Sequence, residues 1–324
     1  MDISDSGSGN VPHQKNSPRI KREVLVILIF TLLMTLPFSG RPFDMDDIIF
    51  LKLAEARQEE PLLLELRDFN FFGFYNESFI DTHPPLLSLY LALMMKLGGS
   101  SEVWLHLSFV IFPVMAALSL YFIARRYTSN AIFTALIFAG TPGVAVMSHT
   151  LMSDLPGLAF WLAAIAFYIY GLENRSPALM AISGLLLSLG IFTSYQVLGA
   201  LPLLFAYTLL RRRISLQTLL PLFLPLCFFI FFAIWHLAAT SSLPGLEHVN
   251  YVQKEPFALK AIFARIVSLI STVGGATVFP LVLLPVRGVR KKDLFAFTSL
   301  FLPTLAFTSV RNLMGLSGIF EYVL

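Results

Sequence analysis

Apolar stretches recur along almost the whole chain, and that recurrence limits what it can fold into more than any single motif. They fall at roughly 23–40, 103–124, 131–149, 154–172, 177–193, 196–210, 217–239, 262–286 and 294–310. About 20 such residues in a helix cross a hydrocarbon core of about 30 Å. A soluble fold could not cover them all. Of 324 residues 56% are hydrophobic and 13% charged, against about 25% charged in soluble domains. Lipid therefore replaces water around much of the molecule, and chain facing lipid must satisfy its own backbone hydrogen bonds. The expected fold is all-α: a polytopic transmembrane bundle of about nine spans, occupying residues 23–324 behind a polar, Ser/Gly/Asn-rich tail at 1–22.

A tenth apolar stretch, Leu86–Leu97, is too short to span and carries Lys96, so it is expected as a helix lying at the interface. The charge pattern supports this choice. With nine spans and an inside N-terminus, 14 basic and five acidic residues fall inside, against nine basic and 15 acidic outside. Making Leu86–Leu97 a span would move Arg125, Arg126 and Arg211–Arg213 outside. A bacterial inner membrane, with the N-terminus cytoplasmic, is the expected location. The net charge of +3 is too small to argue for nucleic acid, and Cys227 is the sole cysteine, so no disulfide forms within one chain.

The longest hydrophilic stretch is the first outer loop, residues 41–102, with 11 of the 20 acidic residues and five basic ones. Most of Glu55–Asp68 reads as a solvated acidic loop. Asp44, Asp46 and Asp47 differ, because they crowd the exit of the first span. Clustered carboxylates raise one another's pKa, and such crowding is relieved by a cation or used in proton transfer. Farther on, Asp81-Thr82-His83-Pro84-Pro85 leads into the interfacial helix. It reads either as a helix cap with a stiff approach or as a histidine presented to a phosphate. Ser153-Asp154-Leu155-Pro156, where the chain turns back toward the membrane, reads as a helix start, yet Asp154 and His149 face the same side as the aspartate cluster. Ionisable groups at membrane depth are costly and mark function.

These three elements, in this order, resemble polyprenyl-phosphate-sugar glycosyltransferases of the GT-C type, the family of the protein mannosyltransferases and the aminoarabinose lipid A transferase. Its members carry an acidic pair after the first span, then a Lys/His-Pro-Pro-Leu element, then an aspartate just before the fourth span. Asp46-Asp47, His83-Pro84-Pro85-Leu86 and Ser153-Asp154-Leu155-Pro156 match in order, spacing and side, and the resemblance covers about residues 24–210. It implies that Asp46 is the catalytic base, with Asp47 in the place of a glutamate neighbour. His83 stands where many members have a phosphate-contacting lysine, and Asp154, with Asp47, is implied to hold a divalent metal ion, Mg or Mn. Asp44 and His149 would join His83 in binding substrate. Asp at 47 is one methylene shorter than the family's usual glutamate, and Ile49 stands where some relatives are basic.

The implied reaction moves a sugar from a polyprenyl-phosphate donor to a glycan, lipid or protein acceptor at the outer face, inverting the anomeric carbon. Lys254, Arg265 and Arg311 are further outer cations near that face. The main rival is a transporter or flippase of a lipid-linked solute, suggested by the breaks at Ala139–Gly143 and Val273–Gly275. Against it, no internal repeat is visible, and the ionisable residues gather at one face rather than at mid-depth. A catalytically silent scaffold subunit is a third possibility. Members of the family are often longer, which suggests a short or C-terminally truncated chain.

Overall fold

The computed structural model describes residues 18–244 apart from 45, 72–73 and 81–82. The tail at 1–17, the expected spans 262–286 and 294–310, and Lys254, Arg265 and Arg311 lie outside the described residues.

The first helix, α1 (Pro18–Thr35), ends in a 3-10 turn at Leu36–Phe38. The segment expected on the outer side contains α2 (Asp47–Arg57), an antiparallel hairpin of β1 (Glu65–Phe71) and β2 (Phe74–Ile80), and α3 (Leu86–Gly98). The bundle continues with α4 (Glu102–Phe109), α5 (Ile111–Ala124), α6 (Ala131–Gly140), α7 (Pro142–Met147) and α8 (Asp154–Asn174). After α9 (Pro177–Thr193), a 3-10 turn at Tyr195–Gly199 precedes α10 (Ala200–Leu210) and α11 (Leu216–Thr240). Three helical stretches among the described residues are long and apolar enough to cross a membrane: Glu102–Ala124, Asp154–Asn174 and Leu216–Thr240.

Prolines and glycines account for the breaks within expected spans. Pro113 has no N–H for the Phe109 carbonyl, and the second span divides at Val110 into α4 and α5. Thr141-Pro142 likewise separates α6 from α7, with Thr141 extended ahead of the proline.

Helix contacts set the order in space: α5 packs on α1, α6 and α8, α8 packs on α9, and α9 packs on α11. One end gathers the start of α1 with the last turns of α5, α8 and α10. There Tyr121 donates to Glu23, which also pairs with Arg19 at 2.9 Å. Arg126 pairs with Glu173 at 2.8 Å and lies over the Tyr170 ring, while Arg213 donates to the Leu172 carbonyl. The opposite end gathers the end of α1, the start of α8 and the end of α9. Successive helices thus alternate between the two ends, with the arginine-rich turns at one and the outer segment at the other.

Two readings of the outer segment need correction. It is not purely helical, because Glu65–Phe71 and Phe74–Ile80 pair as strands, Glu65 opposite Ile80 and Phe71 opposite Phe74. Nor is Glu55–Asp68 a featureless loop, since α2 runs on to Arg57 and β1 begins at Glu65. The expected interfacial helix is present as α3. Its Leu87, Leu91 and Met95 are buried at a spacing of four, one helical face, while Leu93 and Leu97 point outward, 53% and 67% exposed. Arg57, itself buried, donates to Ser88 and to the Leu63 carbonyl, and Lys96 donates to the Gln58 carbonyl at 2.9 Å. On the other side of α3, Trp104 donates to the Met94 carbonyl at 2.7 Å. These bonds fix α3 between α2 and α4.

The candidate active site

Asp46 and Asp47 are neighbours in sequence but occupy unlike environments. Asp47 opens α2 and is fully buried. Its Oδ2 accepts the Asp44 backbone N–H at 2.8 Å, and its Oδ1 accepts the Leu151 N–H at 2.7 Å. The second bond joins the exit of α1 to the turn ahead of α8, across 104 residues of chain. Burial pushes the Asp47 carboxyl above the ordinary aspartate range, while the two N–H donors and the nearby His106 ring pull against that shift. Asp46, at the N-cap of α2, makes no capping bond and is exposed. Asp44 is exposed and pairs with Arg41 at 3.1 Å.

His149 is buried in the turn between α7 and α8. Its Nε2 lies 3.2 Å from the Met34 carbonyl, and its ring packs on Phe38 at 4.3 Å. It therefore ties this turn to the end of α1, as Asp47 does through Leu151. His83 meets the ring of Phe50, one turn along α2 from Asp47, edge-on at 5.0 Å. Asp154 is half-buried in the first turn of α8, where a carboxylate favours the helix dipole. The structure thus brings Asp44, Asp46, Asp47, His83, His149 and Asp154 to the same end of the bundle.

The helix-start reading of Ser153-Asp154-Leu155-Pro156 holds, since α8 opens at Asp154. Ser153, the N-cap of α8, makes no side-chain capping bond, and neither does Pro85, the N-cap of α3. Asp81 and Thr82 lie outside the described residues. Gly157 lets the start of α8 close on the end of α9, since a Cβ there would stand 2.8 Å from the Ser194 Cβ.

No group of three or more His, Cys, Asp or Glu side chains among the described residues is placed to hold a metal ion.

An apolar cavity of about 290 Å³ lies between α3, α5, α8 and α9. Leu86, Phe112, Pro156 and Phe160 are among its walls. Leu86 follows His83 by three residues and Pro156 follows Asp154 by two, so the polar motifs border an oily chamber. His106, on α4, is the residue that sequence reasoning missed. It is buried, faces Phe43 at 5.7 Å between ring centres, and acts electrostatically on both Asp47 and His149. A lone histidine in an apolar run offered no motif that could have revealed it.

Residues 82–236 match the profile of the family described as Dolichyl-phosphate-mannose-protein mannosyltransferase. The lipid A galacturonosyltransferase RgtD of Rhizobium johnstonii is 29% identical over 184 residues, covering 55% of this chain and 35% of that protein. In fold, the chain is similar to ArnT from Cupriavidus metallidurans bound to undecaprenyl phosphate, with TM-score 0.58 and 16% identity over 92% of this chain and 59% of that one. The apo oligosaccharyltransferase of Archaeoglobus fulgidus superposes with TM-score 0.54 and 13% identity over 66% of this chain and 29% of that one. The chain therefore spans about a third of the length of the curated relative it matches. In sequence over about half of its length, and in fold, the chain is thus similar to membrane glycosyltransferases.

Proposed function

We propose that this protein is a membrane glycosyltransferase that moves a sugar from a polyprenyl-phosphate donor to an envelope glycan, lipid or protein acceptor. The observation that carries this reading is the division of labour between adjacent aspartates: Asp47 is buried and bonded, while Asp46 is exposed. An exposed carboxylate keeps its lone pairs for an incoming hydroxyl. In the proposed reaction Asp46 takes the proton of the acceptor hydroxyl. The hydroxyl oxygen bonds to the anomeric carbon as the bond to the phosphate oxygen breaks on the opposite face. The configuration inverts, and polyprenyl phosphate leaves with both electrons of that bond.

His83 and His149 are proposed to face the donor phosphate, with Asp44 contacting the polar part of a substrate. The cavity bordered by Leu86 and Pro156 suits the first isoprene units of the lipid. Asp154 and Asp47 would hold a divalent ion, which supplies positive charge for the leaving phosphate. The ends of the bundle are proposed to lie with the arginine turns in the cytoplasm and this site on the outer face of the inner membrane.

The deciding experiment uses the purified, reconstituted protein with a panel of polyprenyl-phosphate sugars. Asp46→Asn is expected to insert normally and lose transfer by about 10²–10⁴-fold, the usual contribution of a general base. Wild-type turnover by correctly inserted Asp46→Asn would remove the base assignment. Chelation of divalent metal is expected to depress turnover, and full activity in chelator would take Asp154 out of its proposed role.

A further inference from the structure

Three buried histidines are found among the described residues, and they differ in one respect. His149 is bonded to the Met34 carbonyl at 3.2 Å, and His236 to the Ser242 carbonyl at 2.9 Å. His106 is 3% exposed, and neither of its ring nitrogens has a hydrogen-bond partner. A buried polar group without a partner opposes folding and calls for an explanation. The packing around it gives none, because its immediate helix neighbours Leu105 and Phe109 are buried members of an apolar cluster. A leucine would serve that cluster better.

The position of His106 supplies the explanation. Its ring faces Phe43, and the next residue, Asp44, gives its backbone N–H to Asp47. The ring lies close enough to Asp47 and His149 to interact with both electrostatically, as Arg41 does with His149. Arg41, which pairs with Asp44, and the buried rings of His106 and His149 thus come from three parts of the chain to the neighbourhood of the aspartates. Phe43 is carried on the otherwise exposed segment 41–44.

We propose that His106 is a substrate-binding residue of this site, contacting a phosphate oxygen of the lipid-linked donor through a ring nitrogen once Phe43 swings aside. This rests on the transferase reading given above. Folding then leaves the imidazole unbonded so that it can be satisfied by the ligand, which is how binding sites trade stability for function.

The test separates a ligand contact from a packing role. His106→Leu removes an unbonded polar group from an apolar setting, so its melting temperature is expected to equal or exceed that of wild type. Binding is read as the thermal shift produced by a sugar-free polyprenyl phosphate. His106→Leu is expected to weaken that binding, and to raise the donor KM, by about tenfold or more, as for the loss of a hydrogen bond to a charged group. His106→Gln, which restores a polar atom near the Nε2 position, is expected to recover part of the affinity. Wild-type affinity and KM in folded His106→Leu would overturn the proposal. If the leucine variant does not fold, wild-type affinity and KM in both His106→Gln and His106→Ala would do so. If wild type transfers no sugar from any donor yet binds polyprenyl phosphate through His106, the transferase reading fails while the phosphate contact stands.

Discussion

Asp47 shows how much a single carboxylate can fix. Its two oxygens satisfy the N–H groups of Asp44 and Leu151, and Asp47→Ala would leave both donors without their partner. A buried donor left unsatisfied costs about 1–3 kcal/mol, so this variant is expected to melt well below wild type, whereas Asp46→Asn at the exposed neighbour is not. The raised pKa of Asp47 adds a pH signature. The folded form holds the proton to higher pH than the unfolded chain, so this group's contribution to stability falls as pH rises from the ordinary aspartate range through the folded value. Above that value the contribution is constant. Wild type is therefore expected to lose stability relative to Asp47→Asn across that window, read as melting temperature against pH. A difference between the two that is flat with pH would count against it. The sequence showed that acidic residues cluster here, but which of two adjacent aspartates turns inward depends on Leu151, and no local pattern reports a partner so far along the chain.

At the level of elements, the apolar runs were legible because lipid burial demands length and composition together. Helices were found at each expected span that falls among the described residues, with the ends of α8 and α9 close to those read from the sequence. The outer segment was less legible. Its acidic residues suggested solvated loop and masked the short alternation of Phe69 and Phe71 with Asp68 and Asn70 that suits a strand, and a hairpin depends on cross-strand partners. The close approach of α8 and α9 also escaped notice, since a glycine in an apolar helix is ordinary. Because a Cβ at Gly157 would meet Ser194 at 2.8 Å, Gly157→Val is expected to push α8 from α9 and to cost about 1–3 kcal/mol by overpacking. The measurement is thermal unfolding in detergent. A melting temperature equal to wild type would mean that the two helices can separate freely there.

For the whole molecule, the outward apolar surface is the dominant fact. Along α11, Phe223 and Phe231 are 53% and 73% exposed, and Leu216 is 79% exposed. So much exposed apolar surface suits acyl chains rather than water. The alternation of helix ends makes a direct prediction. In a Cys227→Ser background, single cysteines at positions 46 and 154 should react with an impermeant thiol reagent from the same side of the membrane, and one at 212 only from the other. Labelling of 46 and 154 from opposite sides would dissolve the shared site.

The bond from Asp47 to Leu151 also sets an order of assembly. A nascent chain exposes Asp47 as soon as its first hydrophobic helix has been threaded into the bilayer, but the amide that receives this carboxylate is 104 residues away and is synthesised much later. Until the segment through Leu151 has been delivered, the pocket exists only as disconnected halves. The proposed site is therefore completed late in biogenesis, and a ribosome-bound fragment stopped before Leu151 would carry its aspartates hydrated and unsupported.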